Sequence, residues 1–378
     1  MSPAPAYQGP VYLDHNATSP IRPVALDAMV EALKLGGNPS SVHRGGRAAR
    51  ALVETGRRQV AALIGALPAE IVFTSGGTEA NNLSIKGAAR RRVLVSAIEH
   101  DSVVAAGPCE TIPVDRDGVV DLAGLERLLA ATPEPALVSV MFANNEIGVL
   151  QPIAEVVRLA RKAGALVHCD AVQGAGKAPI DLHGLGVDYL SLSAHKFGGP
   201  TGVGALAVRA GAPLVSDRRG GRQESNRRAG TENVSGIAGF AAAADAARNG
   251  LGDLTTLRDR LEAELVAFAP QAKVHGAGAP RLGNTTCISM PGVRAETQVM
   301  ALDLAGVCVS AGAACSSGKV NRSAVLAAMG VEESEAATAL RISSGWNTVS
   351  EDIDCLIAAW RSLYIRVTNS DMSRARAA

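Results

Sequence analysis

One lysine in this sequence has the surroundings of a reactive amine. Lys196 lies within residues 193–200 (SAHKFGGP), directly after an apolar run at 189–193 that predicts a buried strand. Among polar residues and glycines, a lysine can be desolvated enough to lose its proton and form an imine with an aldehyde cofactor. Most lysines are solvated surface charges, so Lys196 needs support from other residues.

Two more predicted strands end in residues with related chemistry. Residues 75–79 (SGGTE) follow the predicted strand 71–74, and a glycine turn that opens a helix is a phosphate site. The alternative is a plain strand-to-helix turn capped by Thr78. Asp170 ends the predicted strand 166–170, and an ionised aspartate there would keep a pyridine nitrogen protonated. Asp170 and Lys196 then indicate the two ends of one cofactor.

Polar residues also follow two other predicted strands, and we expect them at the same edge of the sheet as Lys196 and Asp170. Glu99 and His100 follow residues 93–97, while Asn144 and Asn145 follow residues 137–142. A lone histidine is usually structural and an asparagine pair is usually turn chemistry. However, ligands of open α/β sheets bind beyond the carboxyl ends of the strands, where these residues converge.

The run His168-Cys169-Asp170 raises the alternative of a metal site. Adjacent strand residues point to opposite faces, so the three side chains cannot ligate one ion together. We therefore predict no metal site.

The elements that must position these residues alternate along the chain. Apolar runs at 71–74, 93–97, 137–142, 166–170, 189–193 and 204–208 predict buried strands, with helix-length segments such as 153–163 between several of them. This alternation is typical of an α/β fold with a mostly parallel sheet between helices. After Gly250 the rhythm changes at a predicted helix, 254–268. We expect a large domain of residues 20–250 and a smaller α/β domain of residues 1–19 and 251–378.

The charge and composition of the chain limit the kinds of partner that it could bind. The 378 residues include 37 basic and 36 acidic side chains, for a net charge of +1, which does not favour nucleic-acid binding. The arginine run at 218–228 lacks interleaved aromatics, so a subunit interface explains it better. No apolar run has the length of a membrane span, and residues 1–10 lack a signal-peptide pattern. We expect a cytoplasmic protein with a small ligand and no membrane partner.

Seven ordered motifs together resemble the cysteine desulfurases, a family of fold-type I pyridoxal-phosphate (PLP) enzymes. They cover residues 11–365 and lie at 14–18 (DHNAT), 38–43 (NPSSVH), 74–82 (TSGGTEANN), 144–148 (NNEIG), 193–196 (SAHK), 228–233 (RAGTEN) and 310–318 (SAGAACSSG). The last motif is similar to the longer loop of the group I branch, which includes NifS and IscS. The resemblance implies a homodimer with pyridoxal 5'-phosphate.

The resemblance also implies the roles of individual residues. Those expected to bind the cofactor are Gly77, Thr78, His100, Asn145, Asp170, Gln173, Ser193, His195, Lys196 and Thr231. Lys196 would hold the cofactor and move protons, while Gln173 would bond the ring hydroxyl and His100 would stack on the ring and shuttle protons. Thr231 would reach the phosphate from the other subunit. Asn145 and Arg341 would bind the substrate carboxylate, although a surface ion pair is the plain alternative for Arg341.

Cys315 would be the nucleophile of the reaction. Its Gly/Ala/Ser surroundings are consistent either with a small residue in a loop or with a sulfur that must reach both substrate and acceptor. The resemblance implies removal of sulfur from L-cysteine, giving alanine and a persulfide on Cys315. The acceptor would be an iron–sulfur scaffold or another protein. Because the C-terminal end is brief, a housekeeping and a nitrogen-fixation role are both open.

Two other functions are alternatives to this one. Another fold-type I enzyme, such as an aminotransferase or a selenocysteine lyase, would share Lys196 and Asp170, but a transaminase has no need of Cys315. A catalytically silent scaffold would have no reason to keep the whole set of reactive residues. The cysteine loop therefore favours the desulfurase.

Overall fold

The computed structural model describes residues 9–248, 250, 254–312 and 323–377, with side chains described as far as residue 368. The strands are β1 Val11–Tyr12, β2 Ile71–Thr74, β3 Arg92–Ser96, β4 Glu110–Ile112, β5 Ala136–Ser139, β6 Leu166–Asp170, β7 Tyr189–Ser193, β8 Gly204–Val208, β9 Lys273–Val274, β10 Thr285–Ser289, β11 Val307–Cys308, β12 Ser310–Ala311 and β13 Ala339–Ser343.

The structure describes thirteen α-helices. They are α1 Pro23–Leu35, α2 Arg44–Leu63, α3 Gly77–Gly87, α4 Asp101–Val104, α5 Leu122–Ala130, α6 Ile153–Lys162, α7 Leu182–Leu185, α8 Val234–Arg248, α9 Leu254–Phe268, α10 Ala295–Leu304, α11 Ala324–Ala328, α12 Glu333–Ala336 and α13 Ser350–Ala377. None of these helices combines the length and apolar character needed to cross a bilayer.

The larger sheet collects the strand ends that carry the predicted chemistry. Its seven described strands run in the order β2-β8-β7-β6-β5-β3-β4. The pairs from β7 through β6, β5 and β3 to β4 are parallel, while β8 is antiparallel to both of its neighbours. As a result β2, β3, β5, β6 and β7 all end at the same edge. The expected mostly parallel sheet is confirmed.

Burial explains why these short runs form strands. Every residue of β2, β5, β7 and β8 is buried, and most are Val, Ile, Leu or Ala. A strand covered on both faces needs such a continuous apolar run. The predicted bounds are confirmed for β2, β6, β7 and β8, and β3 begins one residue earlier than expected. The edge strand β4 was not predicted, because Glu110 and Thr111 are exposed.

A second sheet lies in the C-terminal part of the chain. Its described strands run in the order β12-β13-β10-β9 and are antiparallel, while β1 pairs with β11 in a separate parallel ribbon. A separate apolar cluster around the fully buried Trp360 supports these strands. The N-terminal strand thus joins the C-terminal part of the chain. The domain bounds given above stay a prediction.

Residues 14–19 connect the two sheets. The backbone N–H of His15 donates to the carbonyl of Ser343 in β13 at 3.1 Å, and that of Ser19 donates to the carbonyl of His195 at 2.8 Å. This segment therefore crosses from the small sheet to the turn that contains Lys196.

A strained turn precedes the family motif at 228–233, which contains Thr231. Glu224, Ser225 and Asn226 all have left-handed backbone angles, with φ of 47°, 57° and 65°. Such angles cost about 1–3 kcal/mol each in residues other than glycine. Arg57 offsets this strain because its two terminal nitrogens bind the buried Glu224 carboxylate at 2.7 and 2.9 Å. Glu224 also accepts from the N–H of Phe73 in β2 at 3.0 Å.

We expect Arg57→Ala to lower the free energy of unfolding by about 3–5 kcal/mol, because it leaves the buried Glu224 carboxylate without its cation. Denaturant unfolding measures this change. The control is Lys34→Ala, which removes the exposed Lys34–Glu31 pair and should cost less than about 1 kcal/mol. Equal effects of the two substitutions would show that the buried pair does not hold the turn.

Candidate active site

A cavity of about 310 Å³ lies at the carboxyl edge of the larger sheet. Its volume is within the range of small-molecule sites. It brings together ten of the predicted residues: Gly77, Thr78, His100, Asn145, Asp170, Gln173, Ser193, His195, Lys196 and Arg341. These residues come from six separate places in the sequence. Their convergence rests on the strand order, which places β2, β6 and β7 close to one another.

Lys196 lies in a short 3₁₀ turn, Ala194–Lys196, immediately after β7. Its Nζ donates to the backbone carbonyls of Asn16 and Ala17 at 2.7 and 2.9 Å. These carbonyls belong to the segment that connects the two sheets. The amine is thus held at the cavity wall by neutral acceptors, which leaves it accessible to a ligand in the cavity.

Asp170 ends β6 and is 6% exposed. Its Oδ2 accepts from the Asn81 side chain at 2.7 Å and its Oδ1 accepts from the backbone N–H of Val172 at 3.0 Å. Both donors are neutral. A buried carboxylate that has only neutral donors suits a partner that brings a proton on nitrogen.

A second carboxyl group lies behind Asp170. Glu99 accepts from the backbone N–H of Met141 at 2.7 Å, and its Oε2 has no hydrogen-bond partner among the described residues. Burial, and then the charge of Asp170, raise the pKa of Glu99 well above its ordinary value. Burial and the neighbouring carboxylate thus favour the neutral form of Glu99.

The first turn of α3 forms another wall. Gly76 has a φ of 152°, and a Cβ on Gly77 would lie 2.8 Å from the Val172 side chain, so glycine is required at both positions. The first N–H groups of a helix have no partner within it, and they carry the positive end of the helix dipole. With Ser193 and His195 nearby, this wall suits a phosphate group.

His195 is neutral in this setting. Burial, then the charges of Lys196 and Lys177, lower the pKa of its ring to about 4. Its Nδ1 lies 3.1 Å from the Thr18 hydroxyl. His100 caps α4, and its Nδ1 accepts from the backbone N–H of Ser102 at 3.1 Å. A neutral His100 ring therefore carries its proton on Nε2.

Arg341 in β13 forms another wall of the cavity. It is 2% exposed, and its Nη2 binds Asp14 Oδ1 at 2.7 Å, while its Nη1 donates to the Asn145 carbonyl at 3.3 Å. Among the described residues its buried Nε has no hydrogen-bond partner. The alternative of a surface ion pair was wrong, because β10 and β12 flank β13 and bury the side chain. Arg341 retains capacity for a second carboxylate.

The residues present fit the cofactor that the sequence predicts. The cavity offers an amine for an aldehyde, a buried carboxylate for a pyridine nitrogen and a helix N-terminus for a phosphate. In the part of the chain that the structure describes, no group of three or more His, Cys, Asp or Glu side chains could hold a metal ion.

Comparisons with known proteins identify the family. Residues 11–356 match the aminotransferase class-V family. A cysteine desulfurase of Cereibacter sphaeroides is 47% identical over 367 residues, which cover 92% of this chain and 94% of that protein.

The chain belongs to the cysteine desulfurase family.

Solved structures agree with this assignment. The X-ray structure of a NifS-like protein from Rickettsia africae has a TM-score of 0.87 and 37% identity, covering 94% of this chain and 99% of that chain. A structure of SspA in complex with cysteine has a TM-score of 0.78 and 29% identity, covering 89% and 99%. Membership of the cysteine desulfurase family confirms the predicted α/β fold of fold-type I and the cofactor, pyridoxal 5'-phosphate. The chain is a PLP-dependent enzyme.

Two predicted residues are not part of the cavity as described. Thr231 is exposed and does not line it. Cys315 lies outside the described residues, within 313–322. Sequence reasoning missed two asparagines. Asn81 donates to Asp170, and Asn16 accepts from Lys196 and Lys177. Both lie inside quoted family motifs, which was the available signal, but their partners are distant in sequence.

Glu146, which follows the cavity residue Asn145, lies close to Gly312 and Ser323, the described residues on either side of the segment that contains Cys315. Its Oε2 accepts from the Ser323 hydroxyl at 2.6 Å and would lie 3.2 Å from a Cβ on Gly312. Burial raises the pKa of Glu146 to about 7, although the hydrogen bond from Ser323 and the charge of Arg341 oppose the shift. The folded protein therefore binds a proton here that the unfolded chain has lost, between pH 4.5 and 7.

This raised pKa predicts a stability that is present at low pH and lost as pH rises through 7. Relative to Glu146→Gln, which stays neutral, the wild type should lose up to about 3 kcal/mol of unfolding free energy between pH 5 and pH 8. Denaturant unfolding at both values tests this. The exposed Glu155→Gln serves as control. Parallel pH profiles of wild type and Glu146→Gln would contradict the buried, protonated carboxyl.

Proposed function

We propose that this protein is a cysteine desulfurase that takes sulfur from free L-cysteine and releases L-alanine. The observation that carries the proposal is the meeting of Lys196, Asp170 and Arg341 in one cavity within a chain of this family. Lys196 would hold the cofactor, Asp170 would pair with its ring nitrogen, and Gln173 would bond its ring hydroxyl. Gly77, Thr78, Ser193 and His195 would hold its phosphate.

Arg341 and Asn145 would hold the substrate carboxylate. The unpartnered Nε of Arg341 supports this role, because Asp14 uses only Nη2 of the fork. A guanidinium binds a carboxylate with two parallel hydrogen bonds when its geometry is fixed. Asp14 supplies that fixing, and Ser310 in turn donates to Asp14 Oδ2 at 2.8 Å.

The reaction needs a proton acceptor at the substrate Cα and a thiolate at its sulfur. When bound, the cofactor supplies an electron sink that stabilises negative charge at Cα. The Lys196 amine would take the Cα proton, and His100, whose ring would stack on the cofactor, would shuttle a proton from the Cys315 thiol. The Cys315 sulfur then bonds to the substrate sulfur as the carbon–sulfur bond breaks. The proton from Cys315 would pass through His100 to Cβ, and Lys196 would return its proton to Cα, which completes alanine and leaves the transferred sulfur on Cys315 as a persulfide.

We further infer a homodimer. Thr231 is exposed, yet the turn before it is fixed by Arg57 and Glu224, and Arg228 binds Glu79 of α3 at 2.9 Å. A fixed exposed loop next to the phosphate wall suits contact with the phosphate of a second copy. We infer that the sulfur passes to an iron–sulfur scaffold or another acceptor protein, in a housekeeping or a nitrogen-fixation role. The cytoplasmic location stays a prediction from the sequence.

Alanine and sulfide released from L-cysteine with a thiol reductant test the proposal. We expect Lys196→Ala and Cys315→Ala each to form sulfide at less than about one thousandth of the wild-type rate, because each removes a group that reacts directly. Lys196→Ala should also lose the visible absorbance of the bound cofactor. Cys355→Ala removes an exposed cysteine and should change nothing. Alanine release at the normal rate by Cys315→Ala would rule out its role as nucleophile.

A further inference from the structure

A second lysine lies beside the cavity and has no role in the reaction described so far. The Nζ atom of Lys177 donates to Gln173 Oε1 at 2.6 Å and to Asn16 Oδ1 at 2.8 Å. Gln173 is 5% exposed and lines the cavity. Lys177 therefore acts on the cavity through Gln173.

The contacts of Asn16 fix the direction of these hydrogen bonds. Its Nδ2 donates to the Asn145 carbonyl at 3.2 Å and to the Thr285 hydroxyl at 2.9 Å. A backbone carbonyl only accepts, so the amide nitrogen of Asn16 must face it and Oδ1 must face Lys177. Lys177 thus donates to Asn16.

The same reasoning sets the orientation of the Gln173 amide. The backbone carbonyl of Asn16 only accepts, so the amide nitrogen of Gln173 must face it and the amide oxygen must face Lys177. The amide nitrogen then donates to the backbone carbonyl of Asn16 at 2.9 Å. That bond uses one of its two hydrogens. The other is available to an acceptor in the cavity.

The charges around Lys177 favour an anion in this place. Burial, then the charges of Lys196 and Arg341, hold the pKa of Lys177 well below its ordinary value. Lys177 also contributes to the lowered pKa of His15 and of His195. A negatively charged oxygen near Gln173 would relieve this repulsion between cations.

We propose that Lys177 is a positioning residue that turns the Gln173 amide so that its N–H meets an ionised oxygen on the cofactor ring. The inference rests on the proposed function, in which Gln173 bonds the ring hydroxyl. Loss of Lys177 removes one of the two hydrogen bonds that orient the amide, so the rotated amide, whose oxygen faces the ring oxygen, becomes more populated. Two oxygen acceptors can share a hydrogen bond only when the ring oxygen is protonated. The protonated form of the ring oxygen is then more populated than in the wild type.

The test compares wild type with Lys177→Met, both loaded with pyridoxal 5'-phosphate. The ionised and protonated forms of the ring oxygen absorb at different wavelengths, so the ratio of the two bands reports the state of this atom. At a fixed pH we expect Lys177→Met to shift the ratio about tenfold towards the protonated form and to weaken cofactor binding about tenfold. An unchanged ratio would overturn the proposal.

Two further comparisons separate positioning from a general structural effect. In a Gln173→Ala background, Lys177→Met should change the band ratio much less, because no amide is left to orient, whereas additive effects would overturn the proposal. The exposed Lys162→Met is the matched control. Should Lys177→Met fail to fold, Lys177→Leu, which also lacks a donor, is measured in the same way with the same two outcomes.

The failure of this proposal is distinguishable from failure of the proposed function. A wild-type protein that shows no visible band after addition of the cofactor would overturn the role of Lys196 and, with it, the function. A normal wild-type band that Lys177→Met leaves unchanged would overturn the role of Lys177 alone.

Discussion

The carboxylate of Asp170 lies at the end of a buried strand and accepts its hydrogen bonds from an amide side chain and a backbone N–H. Because neither donor is charged, the negative charge is solvated but not neutralised, and it remains able to pair with a cation in the cavity. Burial and this charge together raise the pKa of Glu99 well above its ordinary value. The two neighbouring carboxyl groups therefore differ in environment, and only that of Asp170 lines the cavity.

The other walls of the cavity are positive. Lys196 and Arg341 line the cavity and Lys177 lies behind Gln173, and burial with the charges of Lys196 and Lys177 lowers the pKa of His195 to about 4. A ligand with a protonated nitrogen at one end and anionic oxygens elsewhere matches this distribution of charge. The segment 14–18 holds the arrangement together, since it accepts from both lysines and supplies Asp14 to Arg341. A single crossing of the chain therefore joins the cofactor half of the site to its substrate half.

Sequence reasoning reached the strand ends and most of the residues that line the cavity. It succeeded at β2, β6, β7 and β8 because continuous apolar runs bounded by polar residues allow few alternatives to a buried strand. It missed the partners that come from distant packing: Lys177 meets Asn16 across 161 residues. It also favoured a surface pair for Arg341 before the family was considered, because the burial of β13 depends on strands that the local pattern does not specify.

The proposed reaction requires that Lys196, rather than the neighbouring Lys177, holds the cofactor. Reduction of the cofactor-loaded protein with borohydride converts an imine into a stable amine, and peptide mapping by mass spectrometry then locates the modified lysine. We expect one cofactor mass per chain on the peptide that contains Lys196. A modification on Lys177, or an even distribution among surface lysines, would contradict it.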